Sequence, residues 1–271
     1  MEAARGGAGG VEGVGYRPLG QVPAPDWASI DAWLQRIVGG TPSEGALTAA
    51  AELSALGLRE EAASSVREAA KGAGAWRLLA LAREAYAGHL LDVAARLAVG
   101  VREESGVDWV EAPRALLQVA FPVGYVALVN QEAEHEDVDP LFVAGLIRQE
   151  SFWDAGAVSR AGAIGLTQVM PATGEGIAGA LGVAFEVGDL VRPAVSVRFG
   201  AYYLGTQLRR FGDPLAALAA YNAGPGNARR WQEGGSGSGA DFVERVDIGE
   251  TQHYVVAVME HYAHYRRAYR E

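Results

Sequence analysis

The feature that most constrains this chain is its punctuation. Ala- and Leu-rich stretches of three or four turns are separated by single glycines and prolines, and runs of β-branched residues are few. Pro171, Pro193 and Pro214 sit where proline opens a helix, while Gly57, Gly72 and Gly88 fall where helices close. A chain written this way is all-α. Its 271 residues can bury a substantial core. No stretch approaches the roughly 18 uninterrupted apolar residues of a spanning helix.

The residues before 26 are Gly-rich, lack apolar periodicity and carry no apolar core of a secretory signal, so 1–25 reads as a disordered lead-in. Helices are predicted at 27–37, 44–56, 59–71, 75–87 and 89–99. Aligning Gly57 with Gly88 also aligns Ala51 with Ala82 and Ala63 with Ala94, an offset of 31 residues. That offset fits helical hairpins, and equally a plain series of antiparallel helices. A break at 100–113 ends this segment. Beyond it, helices are predicted at 114–131, 140–153, 171–181, 193–211, 214–223, 225–232 and 249–270, with a flexible G-G-S-G-S-G loop at 234–239. The organisation expected is a lead-in at 1–25, a helical-hairpin segment at 26–113 and a second domain at 114–271.

Charge and composition remove several functions. The formal net charge is −10 and no basic stripe exists, which argues against nucleic acid. The chain has no cysteine, hence no disulfide, thiolate metal site or cysteine nucleophile. His253, His261 and His264 share the terminal helix without metal-ligand spacing, so no metal is expected.

Chemistry enters at Glu150. Val143, Leu146, Ile147 and Glu150 follow i, i+3, i+4, i+7 spacing, which makes a carboxyl the last member of an apolar stripe. Burial there raises its pKa and keeps it protonated near neutrality, as protonation of a glycosidic oxygen requires. From the helix alone, a frayed end at which Glu150 meets water, Arg148 or Arg160 is the stronger account. The following S-R-A-G-A-I-G-L-T-Q-V-M-P stretch is too irregular for helix and too Gly-rich for strand, with Gln168 offering both a donor and an acceptor. Tyr221 and Asn222 end a helix stopped by Gly224 and Pro225; they are a helix terminus, or a tyrosine brought near Glu150. The tyrosines of the last helix, Tyr254, Tyr262, Tyr265 and Tyr269, could stack on sugars or pack the helix on its neighbours. Trp153 and Trp231 are open between core and groove edge.

Together, R-Q-E-S at 148–151, G-L-T-Q-V-M-P at 165–171, A-Y-N-A-G-P-G at 220–226, F-V-E-R-V at 242–246 and E-T-Q-H-Y-V at 250–255 resemble the soluble lytic transglycosylases of the Slt type. The resemblance covers about residues 115–270. It implies a lysozyme-like domain preceded by a short arm of helical hairpins. It further implies a sole catalytic acid/base, Glu150, with Ser151, Ser159, Gln168, Met170, Tyr221, Asn222, Glu244 and Tyr254 binding substrate. The implied reaction is non-hydrolytic cleavage of the MurNAc-β-1,4-GlcNAc bond, leaving 1,6-anhydro-MurNAc ends and needing no cofactor. Peptidoglycan glycan strands are the implied partner, alongside cell-envelope proteins, with a monomeric chain in the envelope or periplasm. The alternatives are a goose-type lysozyme-like hydrolase of the same bond, a catalytically silent peptidoglycan-binding module and a helical-repeat scaffold. Two departures stand out: Thr167 replaces the family's usual methionine, and E-R-V-D-I replaces E-S-I-P-F. The arm is far shorter than in the large members, which argues against a closed ring.

Overall fold

The structure, a computed structural model, describes residues 13–41, 48–235 and 239–270. The expected lead-in at 1–12, the loop at 236–238 and the first residues of the helix expected at 44–56 lie outside the described residues. Fourteen α-helices and one 3-10 helix make up the described fold. The nearest approach to a sheet among the described residues is two isolated antiparallel bridges, Val158 to Ile164 and Ile164 to Val169.

By compactness the chain divides into two units, one of residues 1–20 and 125–263, the other of 21–124 and 264–271. The second unit contains α1 (Trp27–Val38), α2 (Ala50–Ala55), α3 (Arg59–Ala69), α4 (Ala75–Ala87), α5 (Leu91–Ser105) and α6 (Arg114–Ala120). Helix α2 packs on α3 and α4 on α5, as two successive hairpins. The expected break at 100–113 begins later, because α5 runs to Ser105 and closes on Gly106 in the left-handed region. Tyr265 and Tyr269 donate to the Pro122 and Phe121 carbonyls at 2.8 and 3.0 Å, and His264 lies 4.8 Å from the Phe121 ring. These rings pack protein.

The first unit contains α7 (Val126–Glu136), α8 (Pro140–Ser151), α9 (Pro171–Leu181), the 3-10 helix (Val187–Val191), α10 (Pro193–Phe211), α11 (Pro214–Ala223), α12 (Pro225–Glu233) and α13 (Ala240–Arg245). Helix α14 (Gly249–Tyr269) contributes its residues up to Ala263. The 3-10 helix and α13 have no counterpart in the sequence expectation. The single helix expected at 114–131 is two, α6 and α7. Pro122 carries no N–H for a helical bond, and Tyr125 adopts φ +49°, so the chain turns between them.

The lead-in also needs correcting over its described part. Val14 is buried and its carbonyl accepts the Asp139 N–H at 2.7 Å, while the Asn130 side-chain amide bonds both the N–H and the carbonyl of Leu19 at 2.9 Å. An irregular segment held by the Asn130 amide and the Asp139 N–H leaves no periodicity for a sequence to display.

Helix α8 is the pivot of this unit. Asp139 caps it by accepting the Leu141 N–H at 2.9 Å, and Pro140 opens it. Leu141, Phe142, Val143, Ala144, Leu146 and Ile147 are all inaccessible to solvent, so α8 is enclosed on every side where the periodicity predicts one buried stripe. Each large apolar side chain buried there contributes about 1.5–3 kcal/mol. Antiparallel to it runs α14. The two approach each other at Gly145, where a Cβ would stand 3.3 Å from the Val258 carbonyl oxygen and the Tyr262 backbone nitrogen.

Candidate active site

Glu150 is the penultimate residue of α8, and two left-handed residues follow the helix at once: Phe152 at φ +54° and Trp153 at φ +69°. Left-handed backbone is costly for aromatic residues and persists only where packing enforces it. Trp153 is buried at 3% exposure, which makes it core, and the Arg148 guanidinium lies 4.4 Å from the Phe152 ring centre. The helix therefore stops one residue after the carboxylate, short of the expected 153.

Opposite stands Tyr254 of α14, nearly buried, whose hydroxyl donates to Glu150 Oε1 at 2.5 Å. Burial raises the Glu150 pKa from 4.5 to about 7, against the opposing pull of the Tyr254 hydrogen bond. A carboxyl poised there can give a proton and take one back near neutral pH. Burial and the charge of Glu150 both push the Tyr254 and Tyr221 phenols far above their usual value, so both remain protonated.

Tyr221, near the end of α11, donates its hydroxyl proton to the Thr167 carbonyl at 2.8 Å and meets Tyr203 of α10 edge-on at 5.3 Å. Asn222 Oδ1 accepts from Thr251 Oγ1 at 2.7 Å, which ties the end of α11 to the start of α14. The pair thus ends α11, as the helix-terminus reading has it, and Tyr221 lies within the electrostatic influence of Glu150.

Loop 154–170 folds on itself. Ser151 is buried, and its Oγ lies 2.9 Å from the Leu166 carbonyl and 3.2 Å from the Ile147 carbonyl. Ser159 Oγ accepts the Ala163 N–H at 3.0 Å. Gln168, at φ +48°, donates its amide to the Ala157 and Gly165 carbonyls at 3.1 and 2.9 Å. Gly165 is required by space, since a Cβ there would sit 2.0 Å from the Leu190 carbonyl oxygen. The polar atoms of Ser151, Ser159 and the Gln168 amide thus brace the loop.

Met170 is exposed at the N-cap of α9, and Glu244 is exposed on α13. The segment after Glu244 is held at Asp247: Arg230 binds Asp247 through both carboxylate oxygens at 2.7 and 2.9 Å, and Trp231 Nε1 donates to Asp247 Oδ1 at 2.9 Å. Those bonds hold the Asp247 pKa down to about 2. Trp231 is core.

Sequence reasoning missed the backing of the site, namely buried Ser196, which bonds Thr167, and Gly200, which makes room for it. Their signal was two small residues one turn apart on α10.

Residues 127–241 match the family model described as the transglycosylase SLT domain. The soluble lytic murein transglycosylase of Salmonella typhimurium is 33% identical over 155 residues, which is 55% of this chain and 24% of that protein. The membrane-bound lytic murein transglycosylase F of Yersinia pestis is 32% identical over 146 residues, 49% of this chain and 28% of that protein. The crystal structure of the 70 kDa soluble lytic transglycosylase from Escherichia coli superposes with a TM-score of 0.71 at 24% identity, covering 93% of this chain and 38% of that one. An inactive mutant of lytic transglycosylase Slt from Pseudomonas aeruginosa gives 0.70 at 27% identity, with the same coverage. The chain spans 24% of the length of the soluble relatives it matches. The fold is that of the Slt-type transglycosylases, and residues 127–241 carry the match to the transglycosylase SLT domain.

Proposed function

We propose that this chain cleaves the glycan strands of peptidoglycan, with Glu150 as its one catalytic acid and base. The observation that carries the reading is the Glu150 carboxyl itself: half-buried at the end of α8, bonded by Tyr254 and poised by desolvation at a pKa of about 7. The SLT domain match at 127–241 and the names of the similar proteins support the substrate class.

In the proposed cycle, protonated Glu150 gives its proton to the oxygen joining MurNAc C1 to GlcNAc, and the C1–O bond breaks. The muramyl acetamido oxygen bonds to C1 as an oxazolinium. Ionised Glu150 then removes the proton from the 6-hydroxyl of the same sugar. That oxygen attacks C1, the acetamido oxygen leaves, and a 1,6-anhydro ring closes with Glu150 protonated again. No water is consumed, so no second carboxylate at ordinary glycosidase separation is needed. Tyr254 stabilises the ionised form between the two transfers. Tyr221 orients the sugar beside the acid, Met170 and Glu244 supply exposed contacts for the strand, and Asn222 holds the floor between α11 and α14. Ser151, Ser159 and Gln168 serve by keeping the loop wall in shape. The substrate sets the location, the cell envelope, where the chain works as a monomer among envelope proteins.

The test is the mass of products released from purified sacculi. Muropeptides ending in the anhydro form, lighter by one water, are expected. Products that retain that water would make this a hydrolase, and no release would make it a binding module.

A further inference from the structure

Helix α1 carries Ser29, Ala32, Trp33 and Arg36 at i, i+3, i+4, i+7 spacing, so they share one face. With Glu111 and Pro113, which lead into α6, they line a cavity of about 260 Å³. That is just below the size that takes a drug-sized ligand, so an occupant must be small. The two charged residues facing this space, Arg36 and Glu111, are of opposite sign, yet they do not pair with each other. Both are exposed, and neither side chain has an ion-pair or hydrogen-bond partner among the described residues. Trp33 is buried at 4% exposure, and its Nε1 has no hydrogen-bond partner among the described residues. A buried donor without an acceptor is rare and calls for one.

Both walls are fixed in advance. Asp26 caps α1 by accepting the Ser29 N–H at 3.1 Å, and Ile30 and Leu34 anchor the helix in the core. Glu111 sits in a turn whose carbonyls are gathered by one guanidinium. Arg267 donates to the carbonyls of Trp109, of Val110 at 2.7 Å and of Ala112 at 3.1 Å. The Glu111 N–H donates to the Asp108 carbonyl at 3.1 Å, and Ala112 is buried beside it. The turn is thus held on both sides of Glu111, which keeps a carboxylate at the cavity with no cation to neutralise it.

We propose that this cavity binds a small zwitterion, an ammonium and a carboxylate joined by a short link, as in an amino acid or a short peptide. Glu111 receives the ammonium, Arg36 receives the carboxylate, and the Trp33 indole packs on the link. Opposite charges that face one cavity without meeting leave a gap that a zwitterion closes at both ends. A ligand with only one charge would gain at one wall and be repelled at the other. The cavity lies wholly within residues 21–124 and 264–271, the unit that does not hold Glu150.

The experiment follows the indole N–H signals of the isotope-labelled full chain by NMR as alanyl-alanine is added, with Trp33→Phe identifying the Trp33 signal. That signal should move and saturate. N-acetyl-alanine, which lacks the ammonium, and alanine amide, which lacks the carboxylate, should each bind at least about tenfold more weakly. Arg36→Gln and Glu111→Gln should each weaken alanyl-alanine by a similar factor. Both side chains are exposed and unpaired, so both variants should fold like the parent. Exchanging the charges, Arg36→Glu with Glu111→Arg, should restore binding with the ligand turned end for end. Tighter binding of free alanine would make an amino acid the ligand and tighter binding of alanyl-alanine a peptide; either supports the proposal. A Trp33 signal that neither compound moves overturns it. So do equal shifts with the two blocked compounds, or a parent-like response in Arg36→Gln and Glu111→Gln. The readout is binding, so the result stands whether or not the chain cleaves sacculi.

Discussion

Tyr254 and Glu150 stand 104 positions apart in the chain, yet the tyrosine hydroxyl donates to the carboxylate at 2.5 Å. At the other end of the same helix pair, the Tyr262 hydroxyl donates to Asp139 Oδ2 at 2.8 Å. One antiparallel contact between α8 and α14 therefore carries two tyrosine–carboxylate bonds, one at the helix cap Asp139 and one at Glu150. They are separable by mutation.

Glu150→Gln should abolish turnover while stabilising the protein in alkali. Because the folded-state pKa is about 7 and the ordinary value 4.5, the native state holds the extra proton between those values. Stability therefore falls as pH rises across that window, by on the order of 3 kcal/mol in all. Urea unfolding at pH 5 and pH 8 should show a drop for the parent and a flat response for the variant. A parent with no such drop would mean that Glu150 ionises freely.

Tyr254→Phe removes the hydrogen bond that draws the Glu150 pKa down, so that pKa should rise above about 7. The alkaline limb of the turnover–pH profile should move upward and peak turnover should fall, because the base step loses its stabilising donor. A profile that keeps its alkaline limb in place refutes the assignment.

Tyr262→Phe is the contrasting case. It should cost about 1 kcal/mol of stability by removing one buried hydrogen bond, and leave the pH profile unmoved. Thermal unfolding and the same pH series check both halves.

Gly145→Ala adds a methyl 3.3 Å from two backbone atoms of α14, where neither can rotate away. The helices must part by a few tenths of an ångström. The expected cost is about 1–3 kcal/mol, with a fall in turnover as the Tyr254–Glu150 bond lengthens. Unchanged turnover in a destabilised variant would show that the bond tolerates such a shift.

Much of the fold was legible because helix ends are written locally. Asp139–Pro140, Pro171, Pro193 and Pro214 start helices at the expected residues, and α9, α10 and α11 have the bounds read from sequence. Capping and proline chemistry act within one turn, so neighbouring residues suffice to specify them. The split between α6 and α7, by contrast, needed the turn at Pro122 and Tyr125 to outweigh good helical periodicity on both sides.

The sequence by itself determined that this chain is helical, where its proline-opened helices begin, and that a carboxyl ends an apolar helix. The tertiary structure decided the chemistry of that carboxyl. Its pKa depends on how completely α8 is enclosed and on a phenol from a helix about a hundred residues away. The contacts of Ser151, Ser159 and Gln168 were decided the same way: loop carbonyls accept from Ser151 and Gln168, and Ser159 Oγ accepts the Ala163 N–H. So was the attachment of residues 13–20, which the Asn130 amide and Asp139 hold without any periodic signal. Desolvation and long-range hydrogen bonds belong to the assembled structure, whereas caps and periodicity belong to the chain.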